Sequence, residues 1–336
     1  MAITCSGTLR PVQWSATIAL FAAGTATFCV AGTTIAADYP QRPIRYIVPS
    51  AAGGGADSLA RILAAELSKQ MNQQVVVDNR PGASGQIGME MLVRANPDGY
   101  TIGYGNTPLL AINRSLLPNW SFETGRDLQP VAWLTNSQNL LAVTLSLPVR
   151  SVRELIDYAK KNPEKLLYAS PGNGTTIHLS GELFKQMTGV QMVHVPYKAV
   201  TVALTELIAG QVHLIFDNLT SITTHVKGGK LRGIAVTGST RAGPFPDLPT
   251  VAEAGVPGYD VSVWTGVIVP AQVPKAIVAR LNAEIVKACS APTLLEKFAG
   301  FGNTCLGSTP EEFGALIRKE GVKWAEVVKR SGAKVD

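Results

Sequence analysis

The sequence predicts an α/β protein made of two doubly wound lobes with a cleft between them. Three observations carry this. Short β-branched runs alternate with amphipathic helical stretches, the pattern of a parallel sheet covered by helices. The alternation occurs in two sets, joined by two extended crossings. The chain has 336 residues, 46% of them hydrophobic, enough for two cores rather than one.

The elements follow in order from Ile44. "IRYIV" is a short strand, and a helix is expected from about Asp57, because Leu59, Ile62, Leu63, Leu67 and Met71 share one face. "QVVVD" is a strand, Ser84 to Ala95 a helix and "YTIGYG" a strand. The second set starts near Asn139 with the strand "LLAVTL". "SVRELIDYAKK" follows as a helix with a capping box, Ser151 preceding Glu154 by three residues. "LLYAS", a helix near Thr175, "MVHVPY", a helix from about Val200, "VHLIF" and "LRGIAVTG" complete the set. The chain then crosses back through "YDVSVWTGVIVP" into a helical end. Pro274 marks one helix start. Thr309, with Glu312 reaching back, marks another, whose buried face is Phe313, Leu316, Ile317, Trp324, Val327 and Val328.

Residues 1–37 differ from the rest: they hold a single charge, Arg10, and an apolar run from about Trp14 to Gly32. "TTIAAD" then offers small residues for cleavage after Ala36 or Ala37. We read 1–37 as a secretory signal peptide rather than a retained anchor, because no charged stop-transfer flank follows. No later run reaches about 18 unbroken apolar residues, so nothing else is expected to span a bilayer. Cleavage removes Cys5 and Cys29. In an oxidising compartment the remaining Cys289 and Cys305 could pair, or they could be two small buried thiols; the sequence leaves both open. The net charge of +6 is spread without a basic block, which excludes the usual footprint of nucleic-acid binding.

The stretch "IVPSAAGGGADSLARILAAELSKQ" passes from strand through Gly53, Gly54 and Gly55 into a helix, a usual place for an α/β protein to hold an anion. Gly53, Gly55 and Ser58 come near a dinucleotide fingerprint, with Asp78 about twenty residues on. A serine replaces the third glycine, Pro49 to Ala52 lengthen the turn, and Asp57 at the helix mouth would oppose a pyrophosphate. A carboxylate cradle in "SAAGGGADS" fits better, with the glycines letting the backbone approach a ligand, Ser50 and Ser58 adding hydroxyls, and Asp57 capping its own helix. The counterpart is "ASPGNGTTIHLSG", where Thr175 and Thr176 open a helix and His178 lies one turn in. Neither loop contains Arg or Lys, so an anion would be held by neutral donors and helix dipoles. Asn106 and Thr107, Tyr197, and Asp217 with Asn218 follow strands and are further contact candidates. No G-x-S-x-G, H-E-x-x-H, C-x-x-C or Walker loop occurs, and His178, His194, His213 and His225 lack ligand spacing on one helix. No catalytic residue, metal or cofactor is therefore assigned, and a binder is favoured over an enzyme.

The segments "YPQRPIRYIVP" with "GGGAD", "VVVDNRPGASGQIG", "NPDGYTIGYGN", "AINRSLLP", "YASPGNGTTIHLSGELFKQMTG", "HVPYK", "GQVHLIFDN", "LRGIAVTG", "LPTVAEAGVPGY" and "STPEEF" together resemble the periplasmic solute-binding receptors of tripartite tricarboxylate transporters, the Bug-type receptors. They run from Tyr39 to Phe313. The resemblance implies a type II periplasmic-binding-protein fold, with lobes at 38–139 plus 264–336 and at 140–263 that close on one ligand. It implies a monomer that binds a small carboxylate (a di- or tricarboxylate, an acidic amino acid, nicotinate or an aromatic acid) and serves a transporter's membrane subunits. A two-component sensor's ligand receptor and a secreted carboxylate-processing enzyme are the alternatives. Carried over, the resemblance points to Ser50 to Gly54, Thr175, Thr176, His178 and the Asp217–Asn218 corner. Two departures bear on cargo: Ser50, Ala51 and Ala52 stand where an aromatic and a proline are common, and Ala199 replaces a glycine after "HVPYK".

Overall fold

A computed structural model describes residues 1–4, 7–8 and 38–334. The expected signal peptide and its cleavage point lie almost wholly outside the described residues. Among the described residues no helix is long and apolar enough to cross a membrane.

The first half begins with β1 (Ile44–Val48), α1 (Gly55–Met71), β2 (Val75–Asn79), α2 (Gln86–Val93) and β3 (Thr101–Asn106). A π-turn at Pro108–Ile112 runs into the short helix α3 (Asn113–Leu116). β4 (Leu128–Val143) leads into the second half, which contains α4 (Val152–Lys161), β5 (Leu166–Ser170), α5 (Thr176–Thr188), β6 (Met192–Pro196), α6 (Val200–Ile208), β7 (Leu214–Asn218), α7 (Leu219–Lys227) and β8 (Arg232–Val236). β9 (Ser262–Pro270), α8 (Lys275–Ala288), α9 (Pro292–Gly300), β10 (Thr304–Cys305) and α10 (Pro310–Ser331) return to the first half.

The strand order is β2-β1-β3-β9-β4-β7-β5-β6, with β8 and β10 also on β4. β1 pairs parallel with β2 and β3, and β5 pairs parallel with β6 and β7. This is the doubly wound pattern expected from the alternation. The expected parallel pairing holds within each half and gives way at the middle, where the crossing strands lie. There β9 runs antiparallel between β3 and β4, and β4 runs antiparallel to β7 and β8. β4 joins the halves, pairing with β9 over Leu128–Gln138 and with β7 over Asn139–Val143. The strand expected near Asn139 thus begins earlier, at Leu128. Its earlier part is masked by Pro130 and the polar run Thr135–Gln138, which does not alternate like a half-buried strand.

Burial follows the periodicity. Leu59, Leu63, Leu67 and Met71 of α1 are buried, as are Phe313, Ile317, Trp324, Val327 and Val328 of α10, while Ile62 and Leu316 are half-buried at the margins. Thr309 and Glu312 form the full reciprocal capping box. Ser151 forms half of one. Its hydroxyl accepts from the Glu154 amide, but Glu154 reaches one residue further back, to the Arg150 amide. Across the return strand, Phe313 meets Trp264 edge to face at 5.7 Å between ring centroids.

Cys289 and Cys305 are joined as a disulfide, with Cα atoms 5.5 Å apart and a separation of 16 positions in sequence. The bond ties the end of α8 to β10, which pairs with β4 at Thr135 and Asn136, where the chain leaves the first half. Closing so short a loop should restrict the unfolded chain by about 3 kcal/mol. Replacing both cysteines by serine is expected to lower the urea midpoint, with a somewhat steeper slope because the unfolded chain then expands further. An unchanged midpoint would show that the bond contributes nothing to stability.

Candidate functional site

The candidate residues lie where β1, β3, β5, β6 and β7 end, all at the carboxyl ends of strands. Open α/β sheets place ligands there.

The first turn is shaped by main-chain bonds. Val48 O accepts from both the Ser50 and Arg80 amides at 2.8 Å, and Asn79 Nδ2 donates to Ser50 O at 3.2 Å. Gly53 takes φ +82°, a conformation open to glycine. Gly54 is the N-cap of α1 with ordinary dihedrals and no side-chain cap. The first-turn amides are therefore not capped from that position and retain their dipole. Asp57, expected to cap the helix, instead accepts from the Gly53 amide at 2.8 Å, one residue before the N-cap. Arg61 neutralises it at 2.9 Å, and this guanidinium is the main cause holding the Asp57 carboxyl below its ordinary value. Ala51 to Gly55 are exposed, and the buried Ser50 hydroxyl has no protein partner. Asp78 pairs with Arg45 and Arg80, which removes the acid that a ribose would need.

The second turn is more tightly bound to itself. Thr175 is the N-cap of α5; its hydroxyl accepts from the His178 amide at 3.2 Å and donates to Gly172 O at 2.9 Å. Ser170 Oγ accepts from the Gly172 amide and meets His194 Nε2 at 2.7 Å. Thr176 is buried. Gly172 and Gly174 both have positive φ, and a Cβ at Gly174 would collide with Leu116 of α3. The second turn therefore abuts the first half. Asn113 of the same short helix donates to Ser84 O at 3.1 Å, and neighbouring Gly85 lies against Pro49 of the first turn. A continuous line of packed residues thus links the two glycine turns.

Several candidates are already engaged within the protein. Thr107 is fully buried, and its hydroxyl bonds Trp264 through both N–H (3.1 Å) and C=O (3.4 Å), securing the return strand. Asp217 is fully buried; its oxygens accept from the Asn218 amide (2.8 Å) and the Ser221 hydroxyl (2.6 Å). Burial is the main cause raising its pKa to about 6. Asn106 accepts from the Leu109 amide at 3.0 Å and opens the π-turn. His178, expected as a contact, is 5% exposed, and its Nδ1 accepts from the Gly174 amide at 3.0 Å. These side chains already have partners within the protein, and sequence could not show this because it does not reveal which polar groups are used. Tyr197 and Asn218 remain half-exposed beside the second turn and at the mouth of α7. His194, to which no sequence signal pointed, comes under the turn only through its register opposite Tyr168.

Two hollows of about 520 and 600 Å³ lie elsewhere, around α3 and α10 and between α8 and α10. Neither is lined by a residue of the two glycine turns. Among the described residues no cluster of three His, Cys, Asp or Glu side chains could hold a metal ion.

Residues 59–333 match the tripartite tricarboxylate transporter family receptor pattern. The chain belongs to this family. It is 35% identical to Protein BugT of Bordetella pertussis, over 92% of this chain and 95% of that protein. A Rhodopseudomonas palustris structure, Rpa4515 with adipate, superposes with a TM-score of 0.76 at 38% identity, over 88% of this chain and 99% of that one. MatC from the same species, solved with bound malate, superposes with a TM-score of 0.72 at 29% identity, over 86% and 100%. The two-lobed binding-protein fold expected from the sequence is the fold of this family, and the chain is a solute-binding receptor rather than an enzyme.

Proposed function

We propose that this receptor captures a small carboxylate, of which dicarboxylates are the first class to try, between lobes formed by 38–139 plus 264–336 and by 140–263. It acts in the periplasm as a monomer after loss of residues 1–37, and it hands its cargo to the membrane subunits of a tripartite tricarboxylate transporter. The carrying observation is the pair of glycine turns at the ends of β1 and β5, each opening a helix N-terminus without a cationic side chain. Such turns suit small carboxylates, held by main-chain amides. The relatives solved with adipate and with malate support the ligand class. Ligand contact with both lobes would favour a closed form, which the partner reads.

A thermal-shift screen tests this with adipate, malate, citrate, aspartate, glutamate, nicotinate and benzoate. At 100 times its dissociation constant a true ligand should add about 2.7 kcal/mol of stability. No shift with any of these acids would reject carboxylate capture.

A further inference from the structure

Beneath the second turn, on the side of the sheet covered by α5, lies a cluster of titratable groups that ligand contact does not explain. His178 and His194 stack with centroids 4.0 Å apart and planes 22° apart. Tyr168 lies beside both, 4.9 Å from His194 and 6.3 Å from His178. Tyr168 donates its hydroxyl to Glu182, which is also paired with Lys185 at 2.8 Å. Glu182 stands 4.0 Å from His178 Nε2. From α10, Arg330 lines the recess behind Glu182 and Lys185 and is paired with Glu326; on the same helix Glu320 and Lys323 pair with each other.

The hydrogen bonds fix the state of His178. Its Nδ1 accepts from the Gly174 amide at 3.0 Å, so that nitrogen carries no proton. A neutral ring then keeps its hydrogen on Nε2, facing Glu182. Gly174 is the residue at which the second turn meets Leu116 of the first half, at φ +75°.

We propose that His178 is a positioning residue for the ligand grip: its bare Nδ1 anchors the Gly174 amide, and a proton on that nitrogen releases the second turn and with it the bound anion. This rests on the reading of the turn as half of a carboxylate grip. Two N–H groups cannot share one hydrogen bond, so the protonated ring and the present turn are incompatible. His194 supports the ring by stacking and holds the turn's other end through Ser170.

The direction of the pH effect follows from burial, the main cause that pulls His178 down to about 4 and His194 to about 3. Groups whose folded pKa is depressed stabilise the fold fully above their ordinary value of about 6.5. That contribution is lost as pH falls from there through the folded values. Acid should therefore loosen the turn and never tighten it.

The test uses the mature protein, adipate as probe, and the variants His178→Asn and His178→Ala. Asparagine offers Oδ1 where Nδ1 lies and cannot be protonated. By calorimetry, wild type is expected to lose about twofold in affinity between pH 7.5 and 4.0 beyond any loss in His178→Asn, since about half of the His178 rings then carry the second proton. The diacid's own titration is common to both and cancels in that comparison. His178→Ala should bind weakly throughout. A second readout needs no ligand: the protection factor of the Gly174 amide in hydrogen exchange. It should be high in wild type at pH 7.5 and in His178→Asn at both pH values, and low in His178→Ala and in acidified wild type. Equal pH dependence in wild type and His178→Asn, or full Gly174 protection in His178→Ala, would overturn the proposal. If no acid binds at pH 7.5, carboxylate capture is what fails, and exchange alone decides the role of His178.

Discussion

Gly54→Leu is expected to weaken carboxylate binding at least about 100-fold, a loss of roughly 2.7 kcal/mol, while leaving the melting temperature of the empty protein within about 2 °C. The geometry separates the two effects. Gly54 has φ −82° and ψ 174°, which any residue adopts, and a Cβ there meets only Ala51 O at 3.6 Å. The fold therefore tolerates the side chain. The same Cβ stands at the N-cap of α1, where the first-turn amides open, and an isobutyl group would occupy the space a carboxylate needs. Gly53→Leu is the informative contrast. Its φ of +82° resists a side chain, so that variant should lose stability, by about 1–2 kcal/mol, as well as binding. Calorimetry with the best ligand from the screen, beside thermal melts without it, separates the cases. Wild-type affinity in Gly54→Leu would remove the first turn from the site.

Gly266→Val should cost about 3 kcal/mol or more in folding stability. Gly266 sits in β9 between Trp133 of β4 and Gly105 of β3. A Cβ there would enter the Phe313 ring and stand 2.6 Å from Ala132 O. Overpacking a core costs about 1–3 kcal/mol when side chains can shift, but a backbone carbonyl within a sheet cannot easily move. Shrinking the ring by Phe313→Ala should for that reason rescue Gly266→Val only in part. Full rescue in urea melts would show that the aromatic contact alone matters.

The strands and helices with regular periods were legible in the sequence because each buries one stripe or one face: α1, α10, β1, β5 and β7 announce themselves this way. The cap at Thr309 was readable from residue type, since few side chains can meet a helix's free amides. The π-turn, β10 and the first part of β4 were not. Their residues are set by partners far away in sequence, such as Ser137, whose hydroxyl donates to Gly302 O. The site shows the same division. The glycine turns were visible as composition, whereas the roles of Thr107, Asp217 and His178 depended on which neighbour each meets, and Trp264 is 157 residues from Thr107. The two cysteines lacked an address until β10 brought them together.

β9 lies between β3 and β4, although it begins only at Ser262, long after β4 has ended at Val143. While the nascent chain is being produced, its amino-terminal portion therefore has a slot in its sheet that only the last quarter of the polypeptide can fill. Truncations from the carboxyl terminus should strip structure from the beginning of the molecule. An exported chain of this design would reach its final form only once its tail had emerged on the far side.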